Sequence, residues 1–365
     1  MIDVSVNLND HSYKISIGSG LLRDIGKAIT MHSKPTMVAV ISNPTIAGHY
    51  ADTVLESLRS VGLNAELITL PSGERFKTLN TVANVYKALL ALRMDRKGII
   101  VALGGGVIGD MAGFAAATYM RGIQFYQVPT TLLAQVDASV GGKTGVDLPQ
   151  GKNLVGAFHQ PSGVIIDIDT LNTLPARELR SGLAEVAKHG IIYDQEFFNY
   201  LDAHTDSLLA KCKSSLEYAI QRSVEIKRDV VVQDVREMGL RAILNYGHTI
   251  AHAIEVLSGY GKYRHGEALS IGMVTETLLA EREGIAEKGL SDTVADLLLK
   301  MRLPVNMDNS LDTDDIIRAI QLDKKTFAGK FRLALPARIG KCIVVDGLSR
   351  EALAGAIEAH RVWKQ

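Results

Sequence analysis

A glycine-rich turn that directly follows an unbroken apolar segment constrains the fold of this chain more than any other feature. Residues 99–103 read Ile-Ile-Val-Ala-Leu, as expected for a strand that is covered on both faces. Gly104, Gly106 and Gly109 follow, and a helix is predicted to begin near Val107. Glycines at this spacing let the backbone approach a pyrophosphate, and the N-terminus of the helix favours the negative charge.

The turn nevertheless departs from an ordinary dinucleotide-binding fingerprint. It follows a middle strand, and no acidic residue stands about 20 residues downstream to hold a ribose. A tight structural turn is therefore the alternative interpretation of this pattern alone. Residues 72–77, 141–144 and 151–153 each couple a glycine to a lysine, which offers amide donors and a mobile cation. Any one of them could be a solvated loop, but together the four stretches predict a nucleotide and an anionic substrate.

Apolar runs alternate with helical patterns through the first half of the chain, which favours a mostly parallel sheet sandwiched by helices. The runs predicted as strands are residues 4–8, 13–17, 37–41, 65–70, 99–103, 125–128 and 164–168, with a hairpin turn at Asn9–Asp10. After Pro175 strand runs are scarce, and helical spacing occupies residues 177–192, 214–232, 246–257 and 267–283. We therefore predict a Rossmann-like α/β domain over residues 1–174 and a mainly α-helical domain over residues 175–365.

Composition and charge exclude several classes of protein. The 365 residues suffice for two domains, and 40 Lys and Arg balance 40 Asp and Glu, so no overall basic field favours nucleic acid. No apolar run approaches the roughly 20 residues that span a bilayer, and the N-terminus lacks the pattern of a signal peptide. Cys212 and Cys342 are far apart, which argues against a disulfide framework and fits a reducing cytoplasm.

Three histidines and an upstream glutamate predict a divalent metal site. His248 and His252 are four residues apart on a helical stretch and so share a face, while His265 stands at the start of the next helix. With Glu185 they offer imidazole and carboxylate ligands of the kind that bind catalytic zinc or cobalt and leave a position open. The alternatives are packing or surface histidines and, because Lys188 lies about one turn after Glu185, an ordinary helix ion pair.

In their length and order these motifs resemble those of the 3-dehydroquinate synthases, a family of sugar-phosphate cyclases. The resemblance covers nearly the whole chain and rests on residues 104–110, 119–122, 128–137, 141–144, 151–153, 184–188, 244–252, 265–268 and 323–325. It implies an NAD-binding first domain and a second domain that binds metal and substrate. It also implies tightly bound NAD, one zinc or cobalt ion, and a cytoplasmic homodimer.

The resemblance implies a definite reaction. The family converts 3-deoxy-D-arabino-heptulosonate 7-phosphate to 3-dehydroquinate and phosphate, the second step of the shikimate route to aromatic amino acids. NAD oxidises the C5 hydroxyl of the substrate, which acidifies the neighbouring proton, and phosphate is then eliminated. NADH returns the hydride, the ring opens, and an intramolecular aldol reaction closes the carbocycle. Because NAD is regenerated, the net reaction is that of a lyase.

The resemblance also assigns roles to individual residues. It implies that Glu185, His248 and His265 bind the metal, and that His252 assists proton transfer instead. The other positions that match catalytic residues are Asp137, Lys143, Asn153, Lys188 and Asn245. The positions that match substrate contacts are Arg121, Lys143, Lys152, Asn153 and Lys325 for the phosphate, and Lys227 and Arg241 for the carboxylate. Lys324 is an alternative to Lys325, and Arg121 serves either its own site or that of a dimer partner.

The positions that match NAD contacts of the family lie in short stretches along the first domain. They are Asn43, Ser72, Gly73, Glu74, Arg75, Phe76, Lys77, Gly105, Gly106, Val107, Ile108, Gly109, Asp110, Thr130, Thr131, Lys143, Lys152, Thr170, Leu171, Asn172 and Thr173. Departures from the family pattern are small. Asn43 stands on the ribose side, where some members have an acid, and Ser72, Arg75 and Phe76 stand where the family is variable.

Three other functions compete with this interpretation. Another sugar-phosphate cyclase would act on a substrate that lacks a carboxylate. The residues that favour dehydroquinate synthase over it are Lys227, Arg241, Asn245, His252 and Asp323-Lys324-Lys325. A metal-dependent glycerol or alcohol dehydrogenase of the related fold would lack the lysines of residues 141–144 and 151–153. A non-catalytic NAD sensor would show a degraded metal-binding set, whereas all three predicted ligands are present.

Overall fold

The computed structural model describes residues 1–8, 11–237, 239–259, 261–322, 326–327 and 330–363. The chain divides into two compact units, Met1–Leu174 and Pro175–Gln365. The first unit is an α/β unit around a mostly parallel sheet, and the second consists mainly of helices. The predicted fold class is therefore confirmed.

In the described part of the first unit, seven strands form one sheet in the order β1-β2-β9-β6-β5-β3-β4. Their bounds are β1 Ile2–Val6, β2 Tyr13–Gly18, β3 Val38–Ser42, β4 Ala65–Thr69, β5 Ile99–Gly104, β6 Gln124–Pro129 and β9 Gly163–Asp167. Only β1 runs antiparallel, pairing with β2 at the edge of the sheet, and every other pairing is parallel. The predicted turn at Asn9–Asp10 lies outside the described residues.

Four helices cover the two faces of this sheet: α1 Ile25–Thr30, α2 Pro44–Ser60, α3 Leu79–Ala91 and α4 Gly106–Thr118. Along β3 the side chains alternate between the two faces. Val38 and Val40 pack with α1 and α2, whereas Ala39 and Ile41 pack with α3 and α4. A strand buried on both faces needs apolar residues at every position, which explains the unbroken apolar runs in the sequence.

Helix starts in this unit follow local sequence signals. Asn43 caps α2 by accepting a hydrogen bond from the Ile46 amide at 3.0 Å, with Pro44 as the first helical residue. Thr78 caps α3 in the same way. Short 3₁₀ helices cover Leu21–Asp24, Glu74–Phe76, Tyr119–Arg121 and Ile168–Thr173, and one π-helical turn covers Ala134–Ala138.

An antiparallel pair of strands, β7 Lys143–Leu148 and β8 Gly151–Phe158, was not predicted. The sequence predicts anion-binding loops at residues 141–144 and 151–153. In the structure, residues 141–144 lie at the open end of this hairpin and residues 151–153 lie next to its turn. Their glycines and lysines hide the strand pattern. The hairpin packs on α4 where Gly113 allows it, since a Cβ on Gly113 would lie 2.5 Å from Cγ2 of Thr144.

The second unit is built around α9 His265–Arg282, in which Gly266 and all residues from 268 to 280 are buried. The other described helices are α5 Ala176–Tyr193, α6 Gln195–Leu209, α7 Lys213–Gln233, α8 His248–Leu257, α10 Leu290–Lys300, α11 Thr313–Leu322 and α12 Arg350–Val362. Helix α9 packs against α5, α8, α10 and α12. It is apolar around most of its surface because it has neighbours on every side.

Strands are more frequent in the second unit than the sequence predicted. In its described part, β10 Thr326–Phe327, β11 Lys330–Arg338 and β12 Lys341–Leu348 form an antiparallel sheet. None of these three strands was predicted from the sequence, although Ile343-Val344-Val345 in β12 form a short apolar run. The described part of the second unit is nevertheless mainly helical, as predicted. Across the described residues, no helix is both long enough and apolar enough to cross a membrane.

Candidate nucleotide and metal sites

The predicted NAD-contacting stretches of the first unit come together at one edge of its sheet. Asn43 follows β3, residues 72–77 follow β4, residues 105–110 follow β5, residues 130–131 follow β6, and residues 170–173 follow β9. These strands are parallel neighbours, so their carboxyl ends share an edge. That edge is where open α/β sheets bind their ligands.

The turn between β5 and α4 requires glycines because neighbouring atoms pack closely against them, not because its backbone adopts an unusual conformation. None of Gly104, Gly105, Gly106 and Gly109 has a positive φ. A Cβ on Gly109 would lie 2.7 Å from the side-chain oxygen of Gln127 on β6, so the glycine lets α4 pack tightly on the sheet. Gly105 is the N-cap of α4 and has no side chain to occupy the amides of the first turn. Those amides can therefore receive an anion.

A buried lysine links the predicted cofactor residues to the β7–β8 hairpin. Lys77 Nζ lies 2.6 Å from Oδ2 of Asp110, 2.6 Å from Oδ1 of Asn153 and 3.9 Å from Oε1 of Glu74. Burial opposes the charge on Lys77, but Asp110 and Glu74 outweigh it and raise the pKa of the ammonium. Asn153 adopts φ 54° and donates its N–H to the Asp147 carboxylate at 2.8 Å. The hairpin turn is thus tied to the glycine-turn helix.

The remaining predicted anion contacts are more scattered. Lys143 is exposed at the first position of β7, where it pairs with Phe158, and Lys152 is half-buried on β8. Arg121 is exposed and adopts a left-handed conformation with φ 67°. Lys325 and its alternative Lys324 lie outside the described residues.

Some of the predicted NAD contacts face the core of the first unit. Thr170 and Leu171 are each 1% exposed, and the Thr170 hydroxyl donates to the Asp167 carbonyl at 2.7 Å. These two side chains therefore hold the segment after β9 in place. Asn172 and Thr173 are exposed and are the members of this stretch that can meet a ligand.

In the second unit, three helices bring the predicted metal ligands together. Glu185 lies on α5, His248 is the first residue of α8, and His265 is the first residue of α9. Nε2 of each histidine lies 3.3 Å from Oε1 of Glu185, and one ligand atom from each residue lies within 4.8 Å of the others. The Glu185 side chain is 1% exposed, against 13% for His248 and 27% for His265. The cluster is buried on the carboxylate side and open on the histidine side.

The outward nitrogens of both histidines are held by other groups. Nδ1 of His248 lies 3.2 Å from the Tyr246 carbonyl, and Nδ1 of His265 lies 3.1 Å from Oε1 of Glu255. A carbonyl can only accept a hydrogen bond, so it fixes the neutral His248 ring with its lone pair on Nε2, facing the Glu185 oxygen. Two acceptors that face each other at this distance favour a cation between them. This donor set fits zinc or cobalt.

The pKa values of the three residues also support a candidate metal site. Burial and the Lys188 ammonium lower the pKa of His248 to about 4, so its ring is neutral. Burial also opposes charge on His265, but Glu185 and Glu255 outweigh it and raise its pKa to about 10. Lys188 Nζ lies 2.5 Å from Oε2 of Glu185, and despite burial it and His248 hold the Glu185 pKa well below its usual range. The ion pair between Lys188 and Glu185, which was the alternative interpretation, is present. It belongs to the same cluster as the candidate metal ligands.

His252 lies beside this cluster without sharing its ligand atoms. Its ring centre is 5.6 Å from that of His248 and 6.4 Å from that of His265. Among the described residues, the group that could hold an ion here comprises Glu185, His248 and His265. This arrangement leaves His252 in the position of a neighbouring acid or base.

Arg241, Asn245 and His248 do not share one continuous helix. A 3₁₀ helix covers Leu240–Asn245, and Gly247 with φ 81° separates it from α8. Arg241 and Asn245 therefore precede α8 instead of lying on it. Arg241 is 2% exposed and its guanidinium donates to the Val235 carbonyl at 2.7 Å, while the Asn245 amide donates to Glu237 at 2.7 Å.

The other predicted substrate contact in this unit is a buried cation, since Lys227 on α7 is 6% exposed. Sequence reasoning did not identify Glu255, the partner of His265. Its spacing was a usable signal, because Glu255 lies seven residues after His248 and three after His252, on the same face of α8.

Comparison with known proteins identifies the relatives of this chain. The family described as 3-dehydroquinate synthase N-terminal matches residues 67–181, and the family described as 3-dehydroquinate synthase C-terminal matches residues 182–326. The chain is similar to a curated 3-dehydroquinate synthase of Nostoc punctiforme, with 46% identity over 357 residues that cover 97% of this chain and 98% of the relative.

Two solved structures share the whole architecture. A 2-deoxy-scyllo-inosose synthase complexed with carbaglucose-6-phosphate, NAD+ and Co2+ has a TM-score of 0.90 at 26% identity, covering 98% of this chain and 100% of that chain. A 2-epi-5-epi-valiolone synthase from Streptomyces hygroscopicus with NAD+ and Zn2+ bound has a TM-score of 0.87 at 27% identity, covering 97% and 98%.

Proposed function

Because this chain belongs to the 3-dehydroquinate synthase family, we propose that it converts 3-deoxy-D-arabino-heptulosonate 7-phosphate to 3-dehydroquinate and phosphate. It is a metal- and NAD-dependent lyase of the shikimate pathway. The observation that carries the proposal is the convergence of Glu185, His248 and His265 from three helices, with both Nε2 atoms turned toward one carboxylate oxygen. A metal at such a site would assist a redox step on a substrate hydroxyl.

The metal is held by those three residues in the second unit. When bound, it supplies a Lewis acid that lowers the pKa of a substrate hydroxyl. Glu255 and the Tyr246 carbonyl hold both rings with Nε2 near the Glu185 carboxylate, where the metal would bind. His252 stands close enough to the ligand rings to move a proton to or from the substrate, and Lys188 holds the Glu185 carboxylate in place.

NAD is held by the first unit, at the carboxyl edge of its sheet. When bound, it supplies a hydride acceptor that returns the hydride within the same turnover. The amides at the start of α4 receive the pyrophosphate, and Lys77 holds the adjoining Asp110 and Asn153 together. Asn43, whose side-chain oxygen caps α2, is assigned to the ribose side of the site.

The substrate carries two anionic groups, and we assign separate cations to each. Lys143, Lys152 and Arg121, with Asn153, are assigned to the phosphate. Lys325 is assigned to it as well and lies outside the described residues. Lys227 and Arg241 receive the carboxylate, with Asp137 and Asn245 as further active-site residues. Both cations are nearly fully buried.

A second candidate is a cyclase that acts on a sugar phosphate without a carboxylate, as the TM-score of 0.90 with the inosose synthase suggests. Identity favours dehydroquinate synthase, since the relative from Nostoc is 46% identical whereas the inosose synthase is 26% identical.

We also propose that the protein is a cytoplasmic homodimer. Met120, Leu154 and Phe158 are exposed apolar side chains, and β8 has only one strand partner among the described residues. An exposed strand edge with apolar residues favours pairing with a second copy. Cys212 and Cys342 are free thiols, as in proteins of a reducing compartment.

A coupled assay tests the proposed activity. The protein should release phosphate from 3-deoxy-D-arabino-heptulosonate 7-phosphate with no net change in NADH absorbance. Chelation should abolish this activity, and zinc or cobalt should restore it. Full activity in a sample shown to be metal-free by elemental analysis would contradict the metal site. Efficient turnover of glucose 6-phosphate or sedoheptulose 7-phosphate would contradict the substrate and leave only the broader cyclase class.

A further inference from the structure

The start of α8 lacks a cap from its own segment. Its N-cap is Gly247, which has no side chain and adopts a left-handed conformation with φ 81°. The cap comes instead from Glu276 in the middle of α9. Its Oε2 accepts from the Gly247 amide at 2.7 Å, and its Oε1 accepts from the Ile250 amide at 3.4 Å. Glu276 is fully buried.

Close packing between the two helices reinforces this cap. A Cβ on Gly272 of α9 would lie 2.1 Å from the Gly247 carbonyl oxygen, so only glycine lets α8 begin at this distance from α9. At the next residue of α9, the Met273 carbonyl accepts a hydrogen bond from the Tyr246 hydroxyl at 2.9 Å. Helix α9 therefore determines where the turn at Tyr246–Gly247 lies.

That turn also determines the position of His248. His248 is the first residue of α8, and its Nδ1 lies 3.2 Å from the Tyr246 carbonyl, so both its backbone and its ring are anchored to the turn. We infer that Glu276 is a positioning residue for the metal site, which it serves by fixing the start of α8. This inference rests on the metal-dependent function proposed above.

The negative charge of Glu276 should also strengthen metal binding. The N-terminus of a helix carries about half a positive charge, which opposes a cation bound at the first residue of that helix. The Glu276 carboxylate lies against the N-terminal amides of α8 and offsets that charge. Removing the carboxylate should therefore weaken metal binding even if the turn keeps its shape.

The test compares Glu276→Gln with Thr275→Val. Thr275 is the neighbouring residue on α9 and is equally buried, but its hydroxyl bonds to His360 and to the Ile271 carbonyl, away from the start of α8. The zinc Kd of each protein is measured by competition with a chromophoric chelator, and the Tm of each is measured in excess chelator. We expect Glu276→Gln to raise the zinc Kd about tenfold. Thr275→Val should lower the Tm and leave the zinc Kd unchanged.

A zinc Kd for Glu276→Gln within about twofold of the wild type would overturn the inference, as would an equal loss of affinity in Thr275→Val. If Glu276→Gln fails to fold, Glu276→Asp replaces it. The shorter side chain cannot reach both amides, so at least a threefold increase in Kd is expected, and an unchanged Kd would refute the inference. A wild type that binds no zinc would instead refute the proposed function.

Discussion

Metal binding in this protein should displace a proton from His265. Glu185 and Glu255 raise the pKa of that imidazole to about 10, so it is protonated at neutral pH, whereas a metal ligand must be neutral. A pH of about 7.5 lies two to three units below this pKa, so deprotonation of the ring costs on the order of 3 kcal/mol of metal-binding free energy. His248, with a pKa lowered to about 4, is already neutral and contributes no proton.

Titration calorimetry with zinc in buffers of different ionisation enthalpy measures this coupling. Between pH 6.5 and 8.5 we expect close to one proton released per zinc, and a zinc Kd that falls roughly tenfold per pH unit. A zinc Kd independent of pH, with no proton released, would show that His265 does not carry the charge assigned to it here.

The Glu255→Gln variant isolates the cause of this effect. Oε1 of Glu255 lies 3.1 Å from Nδ1 of His265, and its negative charge is one reason for the raised pKa. The variant should release a smaller fraction of a proton per zinc and show a flatter pH dependence. Glu283→Gln, which removes an exposed carboxylate at the end of α9, is the matched control and should behave as the wild type does.

Further outcomes are expected for four variants. Arg241→Ala should raise the KM for the heptulosonate phosphate roughly 10- to 150-fold while zinc and NAD still bind, because a charge-assisted contact is worth about 1.5–3 kcal/mol; an unchanged KM would remove Arg241 from the carboxylate site. Gly266→Ala should lower the free energy of unfolding by about 1–3 kcal/mol, because its Cβ would lie 2.1 Å from the Ser181 carbonyl oxygen between α9 and α5. Gly48→Ala, a helical site with no atom within 4 Å, should instead raise it by about 0.5–1 kcal/mol, and urea denaturation distinguishes the two. His360 is buried and its pKa is lowered to about 4, so the stability it contributes is present above pH 6.5 and lost as the pH falls through 4. His360→Gln should therefore lose about 3 kcal/mol less than the wild type between pH 7 and pH 4, and equal losses in both proteins would contradict the assignment.

Local sequence patterns predicted much of the first unit. A strand that is buried on both faces must be apolar throughout, so a few residues suffice to predict it. This holds for residues 99–103, which form most of β5, and the glycine turn that follows them is equally local. The family could be predicted for a related reason. Its motifs are long and ordered along the chain, and the match over residues 67–326 confirms the family.

Patterns without a local signature were missed. The hairpin β7–β8 is rich in glycine and lysine, so it shows neither the apolar run nor the strict alternation on which strand prediction depends. The apolar run of β12, Ile343-Val344-Val345, is only three residues long and was missed. The break at Gly247 was also missed. A helical pattern over residues 246–257 does not reveal that the preceding turn is 3₁₀ and that the helix begins only at His248.

The sequence by itself determined which residue types were available for metal chemistry, namely Glu185, His248, His252 and His265. The tertiary structure alone decided which nitrogen of each ring faces the carboxylate and which charge each ring carries. Those properties depend on Glu255, the Tyr246 carbonyl and the neighbouring Lys188. The physical reason is that tautomer and pKa are set by hydrogen-bond partners and burial, and three separate helices must pack together before either exists.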